Sequence, residues 1–407
     1  MCTRVLKALI VGFASLSLVI PGLAFAQDKG PIKIGFIGSM SGTFAQIGKD
    51  MADGASLYLE EIQYTMAGRK VELMVEDEAG EPSVALTKAR KLVEMNRVPI
   101  LVGPNMGSSG YAMQPYVDSK KIPTVYAVPA NDDITQRKRA KWIVRIGWAH
   151  SQPCHPFGEY AYKVLGYRKI AAIGMDYAFG WESLGGFQQT FEEAGGKIIQ
   201  KIWCPTTTQD FSPYITQINR EANAVFVPLA GKLCITFLKQ YQEYGLKDKI
   251  PVIGTGTLTD ESVLPSMGDE ALGVITPLHY SAALDNPQNK EFVKKYRAKY
   301  GKPPSYYSET CYTAMRLVNQ AVTSLKGDVS KADRVLSALQ SVTLKETPRG
   351  PIKFDSYGNP IQNIYIRKVE RVGGELQNTV IYTYPEVSQF WKYKPEEYLK
   401  QPLYTRD

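Results

Sequence analysis

The sequence predicts an α/β protein made of two similar units, each a parallel sheet with helices on both faces. At 407 residues the chain exceeds what one hydrophobic core usually supports, so two domains are expected. Short Val- and Ile-rich runs alternate with segments of helical periodicity, which is the pattern of a parallel sheet. This alternation pauses near residues 146–151 and then begins again, so the second unit follows the first without a flexible linker.

Buried strands are predicted where apolar, β-branched runs end at Gly, Pro or an acidic residue. In the first unit the runs are Ile32–Gly38, Lys70–Glu76, Pro99–Gly103 and Pro123–Val128. In the second unit they are Lys169–Met175, Lys197–Trp203, Ala224–Leu229, Pro251–Gly254 and Leu272–Pro277. Three later strands are expected to join the second unit, at Pro351–Asp355, Ile361–Val372 and Asn378–Tyr384.

Helices are predicted where apolar residues recur every three or four positions. In the first unit one such face is Ala52, Ala55, Leu59 and Ile62, and another is Leu86, Ala89, Leu92 and Val93. The second unit has helical patterns at Trp181–Ala194, Pro213–Ala222 and Gly231–Tyr244. Three further helices are expected to return and cover the first unit, at Pro287–Tyr300, Tyr307–Leu325 and Lys331–Leu339. The aromatic, proline-containing tail at 386–407 is expected to pack as an extended strap, since its rings are costly to leave in water.

The first 26 residues have the pattern of a secretory signal peptide. Arg4 and Lys7 precede the apolar run Ala8–Ile20, and Ala24-Phe25-Ala26 supplies the small residues of a cleavage site after Ala26. An uncleaved anchor is the alternative, although the apolar run is short for a membrane span. We therefore expect an exported protein of the bacterial periplasm.

The composition excludes a disordered chain, a fibrous repeat and a polytopic membrane protein. Apolar residues make up 44% and charged residues 22% of the chain, as in ordinary soluble domains. The formal charge is +8, but 48 basic residues nearly balance 40 acidic ones and no long basic run occurs, so no nucleic-acid partner is expected.

Export changes the interpretation of the cysteines. Cys2 would leave with the signal peptide, and Cys154, Cys204, Cys234 and Cys311 would remain. An oxidising compartment permits disulfide formation, so two alternatives remain: a disulfide between Cys154 and Cys204, or buried free thiols.

No convincing catalytic, cofactor or metal motif is present. Gly254-Thr255-Gly256 follows a strand but lacks the third glycine of a dinucleotide loop, and no phosphate-binding loop occurs. Gly38-Ser39-Met40-Ser41-Gly42 does not have the spacing of a nucleophile turn. Only three histidines are present, and His150 and His155 are five apart, a poor spacing for a metal on one helix face. We expect no enzyme activity, no cofactor and no metal.

Short Gly/Ser loops after the predicted strands are the informative feature. Ligands of open parallel sheets bind outside the carboxyl ends of the strands, where Gly38–Thr43, Gly103–Gly110 and Gly174–Gly180 lie. Gly107-Ser108-Ser109-Gly110 can begin a helix with free N–H groups and hydroxyls at one point, which suits a carboxylate. A plain helix cap explains the same spacing.

From Ile32 to about Tyr384 the chain resembles the periplasmic leucine/isoleucine/valine-binding proteins, the type I solute-binding components of ABC importers. The residues that carry the resemblance are Ile34 to Gly42, Phe44 to Gly48, Val102-Gly103-Pro104 with Ser108-Ser109, Asp176 to Gly180, and Phe354 to Gly358. The resemblance implies a periplasmic binding protein type I fold, with two lobes linked by three hinge crossovers and a solute held in the cleft. The implied lobes are 27–149 plus 281–350, and 150–280 plus 351–385.

The resemblance also implies a binding site. The family holds the ligand carboxylate where this chain has Ser108, or the backbone N–H of Gly107. Phe179, with Tyr177 nearby, occupies the position of an aromatic that closes over the ligand. The candidate ligand-binding residues are Phe44, Ile47, Gly107, Ser108, Ser109, Val128, Ala130, Tyr177, Phe179, Leu229, Gly256 and Tyr307.

One departure from the family pattern bears on the ligand. Amino-acid-binding members place an acidic residue near Gly256 to pair the ligand ammonium, whereas Thr255 and Thr257 flank it here. Because a buried, unpaired ammonium costs several kcal/mol, we hypothesise a small carboxylate without an α-amino group, such as an aromatic or branched acid. Branched-chain or other amino acids remain the second choice, because Asp260 or Glu261 could supply the missing charge. We expect a monomer that hands its solute to an importer permease, with a periplasmic sensor or a secreted enzyme as the alternatives.

Overall fold

The computed structural model describes residues 30–406. The predicted signal peptide and its cleavage after Ala26 lie outside these residues. Across the described part, no helix is long and apolar enough to cross a membrane.

The first sheet has six strands. They are β1 (Ile32–Gly38), β2 (Thr65–Met66), β3 (Arg69–Asp77), β4 (Ile100–Val102), β5 (Thr124–Tyr126) and β6 (Ile143–Arg145). Their order in the sheet is β2-β3-β1-β4-β5-β6. All neighbours run parallel except β2, which is antiparallel to β3. In the parallel part, the carboxyl ends of the strands therefore meet at one edge of the sheet.

The second sheet has eight strands. They are β7 (Lys169–Met175), β8 (Lys197–Cys204), β9 (Ala224–Val227), β10 (Val252–Gly254), β11 (Ile275–Leu278), β12 (Lys353–Phe354), β13 (Pro360–Val372) and β14 (Glu375–Val387). The order is β12-β13-β11-β10-β9-β7-β8, and β14 pairs with β13. Strands β7 to β11 are parallel, and the late strands β12, β13 and β14 add antiparallel pairs at one side.

Helices connect the strands of both sheets. They are α1 (Ala45–Glu61), α2 (Pro82–Arg90), α3 (Gly107–Lys120), α4 (Ser151–Lys163), α5 (Ala178–Glu193), α6 (Ser212–Ile215), α7 (Lys232–Glu243), α8 (Pro287–Tyr300), α9 (Tyr306–Ser324), α10 (Ala332–Ser341) and α11 (Pro395–Tyr398). The alternation of strand and helix gives the two parallel-sheet lobes that the sequence predicts.

The chain passes between the two lobes three times. It leaves the first sheet after β6, returns after β11, and crosses again between α10 and β12. After the second crossing, α8 and α9 pack on α1, and the Tyr300 hydroxyl of α8 donates to the carbonyl oxygen of Asp53 at 3.0 Å. The lobe boundaries at 149/150, 280/281 and 350/351 remain a proposal, which these crossings support.

Some elements differ from the sequence prediction. Helix α4 was not predicted, and it contains Pro153 and Pro156, which the sequence presents as helix breakers. The helix predicted at Pro213–Ala222 is one turn only, because tight turns with bonds such as Gln217 N–H to the Tyr214 carbonyl replace it. The tail beyond Val387 contains the single helical turn α11 and is otherwise irregular.

Candidate functional site

A cavity of about 50 Å³ lies where the carboxyl ends of strands from both sheets face each other. Its walls come from loops after β4, β5, β7, β9 and β10, from the first turn of α1, from the first crossing and from the start of α9. The lining residues are Phe44, Ile47, Asn105, Met106, Gly107, Val128, Ala130, Trp148, His150, Tyr177, Phe179, Ala230, Thr257, Tyr306 and Tyr307. This is where open α/β sheets bind ligands.

Helix α3 begins at this cavity, with Gly107 as its first residue. The first N–H groups of a helix have no intrahelical acceptor, and no side chain caps this end. A Cβ on Gly107 would lie 2.4 Å from Oδ1 of Asn131, so a larger residue here would have to displace the Asn131 side chain or the helix start. The exposed N–H groups and the helix dipole favour an anion at this wall.

The two serines that follow Gly107 do not line the cavity. Ser109 is fully buried, and its hydroxyl lies beside the carboxyl group of Glu78. Burial raises the pKa of Glu78, although hydrogen bonds from Ser109, from the Asn105 backbone and from Ser39 oppose this shift. Ser109 therefore connects the start of α3 to the loop after β3, and Ser108 is partly exposed outside the cavity.

Aromatic rings form the walls on the other sides of the cavity. The Tyr306 and Tyr307 ring centroids are 3.8 Å apart, and Trp148 meets Tyr306 edge to face at 6.2 Å. On the side of the second sheet, Phe179 lies 5.9 Å from Tyr177. Burial raises the pKa values of the tyrosines at 177, 306 and 307, so their hydroxyls stay neutral. The space between these rings suits a flat apolar body.

Helix α9 holds the tyrosine pair in place by close contact with α1. A Cβ on Gly54 of α1 would lie 1.9 Å from the carbonyl oxygen of Ser308, so only glycine allows the two backbones to approach this closely. At the start of α9, the Ser305 side chain accepts a hydrogen bond from the Ser308 N–H and caps the helix. The positions of Tyr306 and Tyr307 thus follow from backbone packing.

The structure brings eight of the twelve sequence-predicted residues into the cavity wall. They are Phe44, Ile47, Gly107, Val128, Ala130, Tyr177, Phe179 and Tyr307. Besides Ser108 and Ser109, the two others that do not line it are Leu229 and Gly256. The Leu229 carbonyl accepts a hydrogen bond from the Thr257 hydroxyl at 2.6 Å, and the Gly256 carbonyl accepts one from Arg367 at 2.7 Å. Their neighbours Ala230 and Thr257 line the cavity instead.

The two acidic residues considered for the ligand ammonium have other partners. Asp260 is fully buried and accepts hydrogen bonds from the backbone N–H groups of Ser262 and Tyr306, at 2.9 and 3.1 Å. Burial raises the pKa of Asp260 to about 7. Glu261 accepts a hydrogen bond from the Asn378 side chain at 3.1 Å and lies 4.0 Å from Arg367. Among the described residues, no acidic side chain lines the cavity.

Sequence reasoning missed several residues of the wall. The most informative are Trp148 and His150, which follow β6 at the first crossing between the lobes. His150 is 5% exposed, and burial lowers its pKa to about 3, so its imidazole is neutral. Within residues 30–406, no group of His, Cys, Asp and Glu side chains is placed to hold a metal ion. The sequence signal that could have pointed to His150 as a site residue is that the chain has only three histidines.

The four cysteines of the described chain are free and buried. A bridge between Cys154 and Cys204, which the sequence left open, is therefore not formed. Burial raises the pKa of Cys204 to about 12, and the pKa of Cys154 is also raised by burial. These thiols behave as small apolar core groups.

Comparisons with known proteins agree with this architecture. Residues 31–375 match the model of the family described as "Periplasmic binding protein". The Leu/Ile/Val-binding protein homolog 6 of Brucella melitensis is 31% identical over 363 residues, which cover 87% of this chain and 91% of that protein.

Solved structures show the same fold. A solute-binding protein of an ABC transporter from Rhodopseudomonas palustris BisB5, in complex with 3,4-dihydroxybenzoic acid, is 33% identical. It superposes with a TM-score of 0.84 over 88% of this chain and 98% of that chain. A solute-binding protein of R. palustris in complex with benzoate is 28% identical, with a TM-score of 0.83 over the same shares of both chains. The chain belongs to the type I periplasmic binding protein family and is a substrate-binding protein of an ABC transporter.

Proposed function

We propose that this protein captures a small aromatic carboxylate, without an α-amino group, in the periplasm and delivers it to an importer permease. The observation that carries the proposal is a cavity whose lining, among residues 30–406, contains the first residue of α3 and aromatic rings but no acidic side chain. The N–H groups of α3 favour the carboxylate, and the rings suit an aromatic body. A ligand ammonium would be buried without a charged partner.

Two of the similar structures hold ligands of this class, 3,4-dihydroxybenzoic acid in one and benzoate in the other. These two proteins are 33% and 28% identical to this chain, and the ligands that they hold support the proposal. The second candidate is a branched-chain amino acid, favoured by the name of the Brucella relative.

Capture would follow from closure of the two lobes. Gly107 and Val128 belong to loops of the first sheet, whereas Phe179 and Thr257 belong to loops of the second. A ligand that contacts both sets stabilises the closed form over the open form. Bond-breaking groups have no role in this mechanism, and the permease would recognise the closed pair of lobes.

Calorimetry with matched ligands tests the proposal. 3-Phenylpropanoate and phenylalanine differ only in the α-amino group, as do 4-methylpentanoate and leucine. We expect binding of 3-phenylpropanoate, benzoate or 4-hydroxybenzoate, and no binding of either amino acid. Binding of leucine or phenylalanine without binding of any acid would overturn the proposal. A thermal-shift screen gives an independent readout, because a ligand at 100 times its Kd adds about 2.7 kcal/mol of stability.

A further inference from the structure

The side chain of His150, in the cavity wall, is linked through Glu182 to both lobes. Its Nδ1 lies 2.6 Å from Oε2 of Glu182, which belongs to α5 beside the second sheet. The same Oε2 accepts a hydrogen bond from the backbone N–H of Asp132, after β5 of the first sheet, at 3.1 Å. Glu182, on a helix of the second lobe, therefore links His150 to a loop of the first lobe.

The imidazole ring is also fixed by its neighbours. It meets Phe179 at 5.2 Å and Trp148 at 5.6 Å, both edge to face. The His150 backbone N–H donates to the Ala130 carbonyl at 2.7 Å. Within the described chain, Nδ1 is the ring nitrogen with a protein partner, and the second nitrogen, Nε2, is left for the cavity that the ring lines.

His150 lines the same cavity as Gly107, the first residue of α3. Its partner Glu182 is bonded to Asp132, and the adjacent Asn131 packs its side-chain oxygen against Gly107. An anion at the N–H groups of α3 would therefore have the Nε2 edge of His150 within its surroundings. A neutral imidazole carries one proton, so the position of that proton decides whether Nε2 donates to the anion or repels it.

We propose that His150 is a ligand-binding residue whose Nε2–H donates to the ligand carboxylate, and that a protonated Glu182 fixes this tautomer by donating its own proton to Nδ1. The inference rests on the proposed function, because it needs an anionic ligand at α3. Glu182 acts as a positioning residue, since it reaches the ligand only through His150.

The surroundings of the pair favour this arrangement of protons. Asp132 and Asp133 follow β5, Tyr111 lies on α3, and Arg145 ends β6. Burial has the largest effect on the pKa of Glu182 and raises it, as does Asp133, whereas the Asp132 N–H, Arg145 and the Tyr111 hydroxyl lower it. Burial raises the pKa of Glu182 to about 8 and that of Asp132 to about 7. Arg145 is committed to the Asn131 carbonyl and to Oδ1 of Asn359, so it does not pair with Glu182.

The arrangement makes binding depend on pH. A bound anion beside Glu182 raises the pKa of this carboxyl further, so binding favours the protonated form. Affinity is then complete below about pH 7 and falls as the pH rises through the pKa of about 8 in the free protein. Above this pKa the affinity falls by close to tenfold per pH unit for each proton that the protein takes up on binding.

Calorimetry of the mature chain with benzoate and 3-phenylpropanoate at pH 6 to 9 tests this inference. We expect H150F to weaken binding at least tenfold at pH 7, whereas H155F, a matched change at a buried histidine outside the cavity, leaves the affinity as it is. E182A should weaken binding about tenfold. E182Q should make the affinity less dependent on pH above 7 and recover part of that loss, because its amide can donate to Nδ1 but cannot also accept from the Asp132 N–H as Oε2 does.

The possible failures are distinguishable. If the wild type binds neither acid, the proposed function and the ligand contact of His150 both fail. If the wild type binds but H150F binds equally well, the His150 contact alone is wrong. An E182Q affinity that falls above pH 7 as steeply as that of the wild type would overturn the role of Glu182 as donor. Nitrogen-15 NMR of the ligand-free protein provides a separate test, because a proton on Nδ1 instead of Nε2 would contradict the tautomer whatever binds.

Discussion

Arg137 binds the C-terminal tail through the carbonyl oxygen of Gln401, to which its Nε and Nη2 donate at 3.2 and 2.9 Å. The guanidinium also donates to the Tyr398 carbonyl at 3.2 Å and lies over the Tyr398 ring at 5.5 Å. Further along the tail, the Tyr404 hydroxyl contacts His155 of α4, and the Arg406 carbonyl accepts a bond from Trp203 of β8. The tail thus attaches to residues of both parallel-sheet units.

We expect R137A to destabilise the protein by about 1.5–3 kcal/mol, because hydrogen bonds to a charged group contribute this much. Denaturant unfolding measures the change. The neighbouring K138A is the control, since Lys138 is exposed and should contribute little. Equal stability of R137A and the wild type would show that the tail does not depend on this contact.

Gly107→Ala should weaken carboxylate binding at least tenfold. The added Cβ would lie 2.4 Å from Oδ1 of Asn131, so either the first turn of α3 or the Asn131 side chain must move. Calorimetry with benzoate measures the loss. The double variant G107A/N131A removes the obstructing oxygen and should recover part of the affinity. If G107A binds as the wild type does, the exact position of this turn is unimportant.

Thr257→Glu should reverse the preference of the site. The new carboxylate would lie in the cavity wall, where it repels an anionic ligand and can pair an ammonium. We expect benzoate binding to fall at least tenfold and phenylalanine or leucine binding to increase, both by calorimetry. T207E adds the same charge at an exposed position and should change neither. Unchanged benzoate affinity in T257E would place the ligand elsewhere.

Ligand binding should change tryptophan fluorescence mainly through Trp148. Its ring lines the cavity beside Tyr306, whereas Trp181 donates its Nε1–H to Asp176 and lies in a separate hollow near Tyr404. A titration with benzoate should give a fluorescence change that W148F loses and W181F keeps. The reverse pattern would mean that the signal comes from movement near α5 and not from the cavity.

The thiols of the native, mature protein should be unreactive. Cys154, Cys204, Cys234 and Cys311 are buried, and burial raises their pKa values, so little thiolate is present at neutral pH. A chromogenic disulfide reagent should detect no thiol in native protein and all four after unfolding. Detection of only two in unfolded, unreduced protein would indicate a disulfide.

The fold could be predicted because its strands are short, continuous apolar runs with clear ends. Strands β1 and β7 have the predicted bounds, and so does helix α8. Helix α4 was missed because its two prolines read as helix breakers in the sequence. Pro153 is tolerated in the structure because it lies in the first turn, whereas Pro156 interrupts the apolar pattern that would otherwise predict a helix.

The candidate site was predicted only in part, for two physical reasons. The loops after β9 and β10 contact each other, with the Thr257 hydroxyl bonded to the Leu229 carbonyl, so sequence alone does not tell which of two successive residues, Leu229 or Ala230 and Gly256 or Thr257, lines the cavity. The pairing of His150 with Glu182 joins residues 32 positions apart and arises only from tertiary packing. No local pattern in the sequence contains that information.

The start of α3 has a consequence for how such proteins diversify. The groups available to an anion there belong to the main chain, so substitutions in the surrounding wall leave them in place. Rings such as Phe179, Tyr306 and Tyr307 can change in size without rebuilding that anchor. Over evolutionary time, the cargo of such a scaffold can therefore vary in shape while its acid group remains the constant part.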